Sequence, residues 1–252
     1  MNKIICSDAL SYLKTLDSNI VDLVLTSPPY NFDMDYDEHK DSKSSKDYIE
    51  TLMEIFVECI RVMKDGGRLI INIQPNYKNY YPTHHIITDN LLSQGMIWRG
   101  EIIWLKNNLK KLTAWGSWMS PSCPYLSYPF EFIEVFSKTS LKHIGSKENI
   151  DITKEEFIEY VNGHWTIAPE TRMKKFNHPA MFPEELAKRC IKLFSYKGDL
   201  ILDPFNGVGT TTLVAYQLER NYIGIDISQK YCKIAKERIL SHNPIMRFVE
   251  ND

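Results

Sequence analysis

The sequence is short of the features that would commit it to a simple class. Its five cysteines (Cys6, Cys59, Cys123, Cys190 and Cys232) are scattered with no C-x-x-C pair. That spacing argues against a disulfide frame or a zinc site and for a reducing compartment. No apolar run approaches the roughly 20 residues that span a bilayer. The first residues, Met1 to Asp8, carry no signal-peptide pattern, so a cytoplasmic protein without a membrane partner is expected. Positive charge is not in excess. Lys and Arg total 30 against 32 Asp and Glu, a formal net charge of −2, which excludes a uniformly basic nucleic-acid binder but leaves room for a local basic face. Internal repeats and low-complexity tracts are absent. His84 and His85 have no ligand pattern around them, so no metal is expected.

Hydrophobic residues make up 43% of the 252 residues, enough for a sizeable core in one large α/β domain or in a domain with an insertion. Short β-branched runs alternate with helical patterns, the mark of a mostly parallel sheet. Strands are expected at Lys3–Cys6, Val21–Thr26, Arg68–Ile73, Glu101–Leu105, Phe132–Phe136, Leu200–Asp203 and Tyr222–Asp226. Helices are expected near Asp47–Met63, His84–Leu92, Pro183–Phe194, Thr210–Glu219 and Gln229–Ser241. Asp65-Gly66-Gly67 breaks the chain between a helix and a strand. Glu101–Lys106 and Glu131–Lys138 alternate apolar and polar residues and predict an antiparallel pair at the sheet edge. Asn31–Lys46 is polar and acidic and reads either as a mobile loop over a site or as a solvated connection. Asn107–Pro129 and Thr139–Lys175 are too long for simple connections. They read as a recognition region inserted into the sheet domain.

Two motifs carry chemistry. Thr26-Ser27-Pro28-Pro29-Tyr30-Asn31 stands where the strand Val21–Leu25 leaves the sheet. Two prolines stiffen the backbone and leave their carbonyls free to accept. Ser27 adds an oxygen and Tyr30 an aromatic face, so the turn suits a flat heteroaromatic amine. Alone, it would pass for a strand followed by a proline turn. The second motif is Leu200-Ile201-Leu202-Asp203-Pro204-Phe205-Asn206-Gly207-Val208-Gly209-Thr210-Thr211, a strand, a glycine turn and a helix start. Gly207 and Gly209 allow close backbone approach to a ligand. Thr210 is expected to cap a helix whose N-terminal N–H groups favour negative charge. Asp226 ends the next strand, where an acid suits two ribose hydroxyls. The P-loop pattern G-x-x-x-x-G-K-[ST] is missing, and Thr212 occupies the third glycine position of a dinucleotide loop. A nucleoside with an amino-acid tail, S-adenosylmethionine, fits better: Asp203 beside its ammonium, the helix N-terminus beside its carboxylate.

Together the motifs make the chain resemble an amino-methylating DNA methyltransferase of the beta class, in which the catalytic Pro-Pro-Tyr motif precedes the cofactor loop. Ser27-Pro28-Pro29-Tyr30 matches the family's (D/N/S)-P-P-(Y/F) motif, and Asp203 to Thr211 its cofactor loop. Ser7-Asp8-Ala9-Leu10 is similar to its adenine-contacting turn, and His178-Pro179-Ala180-Met181-Phe182-Pro183 to the segment lining the methionine end. The resemblance implies a circularly permuted Rossmann-like fold: a seven-stranded sheet with an antiparallel edge hairpin. Residues 1–106 would form a catalytic half, 107–175 a target-recognition insertion whose strand near 131–138 returns to the sheet, and 176–252 a cofactor half.

The reaction implied is methyl transfer from S-adenosylmethionine to the exocyclic amine of a base flipped out of duplex DNA. Ser27 and the Pro28 carbonyl would accept the amino hydrogens and Tyr30 would stack on the base. Within the family, serine at the first position is commoner in cytosine-N4 enzymes and aspartate in adenine-N6 enzymes, so cytosine N4 is expected, with adenine N6 as the alternative. Cytosine-C5 chemistry needs a Pro-Cys nucleophile, and Pro121-Ser122-Cys123-Pro124 does not supply one. Cys123 reads as a loop residue and Cys6 as a packed core thiol. Lys106, Lys110 and Lys111, with Arg172, Lys174 and Lys175, flank the insertion and are expected to meet phosphates; each patch also reads as an ordinary solvated one. Trp115-Gly116-Ser117-Trp118 is expected to support the loop, with DNA contact as the alternative, and Tyr77, Tyr80 and Tyr81 to pack a helix start, with a stacking surface as the alternative. Homodimerisation and a cognate restriction endonuclease are expectations from the resemblance alone. Two further readings are a non-catalytic nucleic-acid binding module that keeps S-adenosylmethionine as a structural ligand, against which the intact Ser27–Tyr30 motif argues, and a methyltransferase acting on RNA or protein.

Overall fold

Central strands of a parallel sheet are covered on both faces and need apolar residues at nearly every position. Val21–Thr26 fits: all six residues are buried. The one charged member, Asp22, is held by Lys64 Nζ at 2.8 Å and by the Leu200 N–H at 2.9 Å. This strand lies inside an eight-stranded sheet in the computed structural model, which describes residues 2–30, 35–36, 39–40, 44–74, 80–107, 116–126, 128–171, 176 and 180–242.

In chain order the strands are β1 (Asn2–Cys6), β2 (Val21–Thr26), β3 (Asp35–Tyr36), β4 (His39–Lys40), β5 (Met63–Ile73), β6 (Ile97–Lys106), β7 (Phe130–Ser137), β8 (His164–Ile167), β9 (Leu200–Asp203) and β10 (Asn221–Asp226). The α-helices are α1 (Ala9–Leu13), α2 (Ser45–Val62), α3 (Thr83–Ser93), α4 (Lys154–Tyr160), α5 (Glu184–Phe194), α6 (Thr210–Gln217) and α7 (Gln229–His242). The main sheet runs β1-β10-β9-β2-β5-β7-β6-β8, and β3 pairs with β4 separately. Only β7 opposes its neighbours; every other pairing in the main sheet is parallel. Alternate side chains feed two cores. Val24, Leu69 and Ile71 pack with α1, α2 and α3 on one face, and Leu23, Leu25 and Ile70 pack with α5 and α6 on the other.

The α/β architecture is as expected, with instructive differences. The sheet has eight strands rather than seven. The β6–β7 pair is not at the edge: β7 lies between β5 and β6, and β8 closes the sheet beside β6. Four residues inside an irregular region, with only Trp165 and Ile167 buried, are too short a pattern to stand out. Asp65-Gly66-Gly67 does not separate a helix from a strand. α2 passes directly into β5, and the pairing with β2 jumps from Val21↔Met63 to Leu23↔Arg68, so these residues bulge out of the ladder. Gly66 takes a φ of 74° there, and a Cβ would strike the Lys142 carbonyl. All five cysteines are free, but Cys6 is exposed rather than packed, because it ends the edge strand β1. Tyr81 packs against the core as expected, whereas Tyr80 is exposed; Tyr77 lies outside the described residues.

The region before α4 is anchored to the far half of the chain by one buried pair. The Arg220 side chain is fully buried and holds Asp151 through both guanidinium arms, at 2.5 and 2.8 Å. Removing the carboxylate strands a buried cation. Asp151→Ala is expected to cost about 3 kcal/mol, measured as a lower urea midpoint with unchanged m-value. A loss below about 1 kcal/mol would mean that the Ser195 and Leu218 carbonyls satisfy Arg220 without it. No helix among the described residues is long and apolar enough to cross a membrane.

Candidate active site

Strand order brings the two motifs together. β9 pairs with β2 through Leu23↔Ile201 and Val24↔Leu202, although about 180 residues separate them. Both strands run the same way, so their following loops emerge at one edge. There the Thr26 hydroxyl donates to Asp203 Oδ1 at 2.7 Å, a direct bond between the Ser-Pro-Pro-Tyr strand and the glycine-loop strand.

The proline turn is held from below and from the side. Tyr48 of α2 donates to the Pro29 carbonyl at 2.6 Å. Tyr30 is buried, and its hydroxyl lies 2.9 Å from Ser27 Oγ and 2.7 Å from Glu131 Oε2. Asn72, at the end of β5, donates through Nδ2 to Tyr30 Oη at 2.8 Å and to Glu131 Oε2 at 2.5 Å. Glu131 belongs to the start of β7. Because β7 runs against its neighbours, its first residues arrive at the same edge as the ends of β2 and β5. Tyr30, expected as an open stacking face, is only 8% exposed and is fixed by its hydroxyl. Lys106, expected on phosphate, is turned inward: it forms an ion pair with Glu131 and lies over the Trp104 ring. A cation beside a buried carboxylate is held there rather than left to solvent. Glu131 lies in an alternating strand, where a polar residue reads as solvent-facing, and Asn72 is a lone polar residue in the apolar run from Leu69 to Ile73, with nothing local to mark its partner.

The glycine loop is built as tightly. Gly207 and Gly209 have φ of 50° and 81°. Gly209, not Thr210, precedes the helix as its cap residue; Thr210 is the first helical residue. A Cβ at Gly209 would approach Ala235 Cβ of α7 to 2.7 Å, so this glycine serves helix packing as well as the turn. Arg238 of α7 clamps the loop, donating to the Val208 carbonyl at 2.7 Å while bonded to Glu184 of α5 at 2.9 Å. Thr211 Oγ1 donates to the Leu25 carbonyl at 3.4 Å, a second tie to β2. Pro204 is buried and Phe205 partly so.

Asp226 accepts from the Gly207 and Ser228 N–H groups, both at 2.8 Å. Its carbonyl accepts from the Ser7 N–H at 3.0 Å, which draws the turn of Asp8 and Ala9 to the same place. Asp8 caps α1 by accepting from the Ser11 N–H at 2.8 Å, and Ala9 is buried. Phe182 packs in the core beneath α5. His178 and Pro179, like Lys110, Lys111, Arg172, Lys174, Lys175 and Trp115, lie outside the described residues. Trp118 is 67% exposed, so its ring does not support the loop by burial.

Two features of this edge suit a ligand. Asn206 is buried, with Oδ1 accepting from Thr212 at 2.9 Å and Nδ2 without a partner among the described residues. Burial pushes the Asp203 carboxyl up to about 6, against the opposing hydrogen bonds of Thr211, Thr26 and the Phe205 N–H, with the nearby Asp226 charge adding to the rise. A desolvated acid of this kind gains from a bound cation. His84 is unlike a metal ligand: burial, then the neighbouring His85, lowers it to about 4, and its ring stacks on Phe132 at 4.2 Å. Asp22, His143 and Asp199 do bring three ligand atoms within 4.8 Å of one another, but at the opposite edge, where Lys64 holds Asp22 and His143 bonds Asp199 at 2.7 Å.

Comparison with known proteins agrees with this geometry. The model of the N6/N4 methyltransferase family, described as DNA methylase, matches residues 21–237. The type II methyltransferase M.MjaVI of Methanocaldococcus jannaschii is 39% identical over 159 residues, covering 62% of this chain and 81% of its own. The DNA adenine methyltransferase YhdJ of Escherichia coli is 31% identical over 251 residues, covering 94% and 82%. The DNA modification methylase TTHA0409 of Thermus thermophilus, solved with S-adenosyl-L-methionine, superposes with a TM-score of 0.76 at 26% identity, over 97% of this chain and 95% of that one.

Proposed function

The chain belongs to the N6/N4 family of DNA methylases, and from that premise we propose that it methylates the N4 amine of a flipped cytosine in duplex DNA. It is an S-adenosylmethionine-dependent DNA methyltransferase of the beta class. The observation that carries the reading is the Thr26–Asp203 bond, which locks the strand ending in Ser27-Pro28-Pro29-Tyr30 against the strand ending in the glycine loop.

The residues at the edge fit the cofactor by their chemistry. Asp203 would face the ammonium of the methionine tail, and the α6 N-terminus after Gly207 and Gly209 its carboxylate. Asp226 would hold the ribose, and Asp8 and Ala9 the adenine side. Pro204, Phe205, Thr210 and Thr211 would shape the loop around it, and His178, Pro179 and Phe182 the methionine end. The unpartnered Asn206 amide supplies a further donor, one that the motif alone does not reveal. S-adenosylmethionine supplies a sulfonium-activated methyl carbon: the amine lone pair forms the N–C bond, the C–S pair returns to sulfur, and one amine proton passes to solvent.

The chain's own part is to hold the amine. Its lone pair is delocalised into the ring, so acceptors on both N–H groups help localise it and stabilise the charge that develops. Ser27 Oγ and the Pro28 carbonyl are those acceptors, Pro29 being anchored by Tyr48. Tyr30 bounds the pocket through its fixed ring. Lys110, Lys111, Arg172, Lys174 and Lys175 would position the duplex through phosphates, in a recognition region spanning 107–175 between the catalytic and cofactor segments. Self-association, a cytoplasmic setting and a cognate restriction endonuclease belong to the same reading.

Serine at the first motif position supports cytosine. The similarity to YhdJ, named a DNA adenine methyltransferase, favours adenine N6 as the second reading. Nucleoside mass spectrometry of duplex DNA treated with the protein separates them. N4-methylcytosine is expected; N6-methyladenine without it would establish the second. Parallel reactions on RNA and protein extracts are expected to take up no tritiated methyl.

A further inference from the structure

The polar network under the proline turn has a direction, and that direction has a consequence for the reaction proposed above, on which this inference rests. Glu131 and Asn72 are 6% and 1% exposed, so their bonds are shielded from solvent. Lys106 pairs with Glu131 Oε1. Oε2 accepts from Asn72 Nδ2 at 2.5 Å and from Tyr30 Oη at 2.7 Å. Asn72 Nδ2 is itself a donor to Tyr30 Oη. A phenol has one proton. With an acidic acceptor at 2.7 Å, a neutral carbonyl of Asn72 at 3.4 Å and Ser27 at 2.9 Å, that proton belongs to Glu131. The Tyr30 oxygen is then left to accept from Ser27.

We propose that Glu131 is a positioning residue: acting through Tyr30, it draws the Ser27 hydroxyl proton into the protein, so that the Ser27 oxygen meets the substrate amine as an acceptor. An amine N–H needs an acceptor. A serine hydroxyl can equally present its hydrogen, and in that orientation it would oppose the bond that localises the amine lone pair. A carboxylate cannot donate, so the order Ser27 to Tyr30 to Glu131 has one sense only. Neither Glu131 nor Lys106 needs to touch substrate for this. Lys106 keeps the carboxylate in place, which also accounts for its inward position.

The test is a double-substitution cycle of Glu131→Gln and Ser27→Ala, read as single-turnover methyl transfer to duplex DNA, with S-adenosylmethionine affinity measured by calorimetry. A glutamine amide can donate, so the sense of the chain is no longer imposed. With Ser27 present, Glu131→Gln is expected to slow transfer about tenfold, the scale of one hydrogen bond, while cofactor affinity and the KM for DNA change by less than about twofold. In the Ser27→Ala background the same substitution is expected to change the rate by less than about twofold, because the hydroxyl it orients is gone. An equal loss in both backgrounds, or no loss in either, overturns the proposal. Should Glu131→Gln not fold, Tyr30→Phe with Ser27→Ala asks the same question with the same expected non-additivity. Failure of the unsubstituted protein to methylate DNA is a separate result, which removes the functional reading and this proposal with it.

Discussion

Ser27→Ala is expected to lower the rate of methyl transfer by about 10²–10³-fold while leaving S-adenosylmethionine affinity within about twofold. The scale is that of a preorganised acceptor removed from a partly desolvated site. Ser27 lies only partly exposed at the end of β2, and its hydroxyl touches Tyr30, not the glycine loop. The deletion should therefore leave the cofactor side intact. Single-turnover kinetics with tritiated donor, beside a calorimetric titration, separate the two quantities. A rate within about threefold of the unsubstituted protein would take Ser27 out of the chemistry. Parallel losses of rate and cofactor affinity would instead mean that the serine supports the loop through its neighbour Thr26.

The second large effect concerns Asp203 and has opposite signs for binding and for stability. Its carboxyl is raised by burial to about 6 in the ligand-free protein. A bound ammonium requires the ionised form. Cofactor affinity is therefore expected to be flat above about pH 7 and to fall about tenfold per pH unit below 6. Asp203→Asn is expected to weaken binding by about 30- to 100-fold at pH 8, the scale of one charge-assisted hydrogen bond. At pH 5 the difference between the two proteins should shrink.

Folding behaves the other way. A group whose folded value is raised contributes stability that is fully present below its unfolded value and is lost as pH rises through the folded one. The ionised Asp203 thus burdens the ligand-free fold at neutral pH, and Asp203→Asn is expected to raise the ligand-free Tm at pH 8 but not at pH 4. Calorimetric titrations and melting curves across pH 4–8 check both halves. An affinity independent of pH would place the ammonium elsewhere.

Much of this protein is legible in its residue order because the informative features are local. A six-residue strand followed by Ser-Pro-Pro-Tyr, and a four-residue strand whose last residue opens Asp-Pro-Phe-x-Gly-x-Gly, state their own conformation: prolines fix φ and glycines permit positive φ. Helices such as Ser45–Val62 and Gln229–His242 follow from spacing and caps, and their ends agree with expectation to within two residues. Short elements were harder. β8 and α4 sit in a region whose composition hides them. Asp65-Gly66-Gly67 reads as a break because a bulge and a loop use the same residues.

Residue order therefore determined the class of the protein, its two chemical motifs and the strands that carry them. The tertiary structure alone decided what those motifs touch. β9 and β10 enter between β1 and β2, so Thr26 finds Asp203, and β7 runs backwards, so Glu131 reaches Tyr30 and holds Lys106 in an ion pair. The physical reason is that a strand's alternation tells which side a residue faces, while its partner is set by lateral order in the sheet, which chain order does not encode.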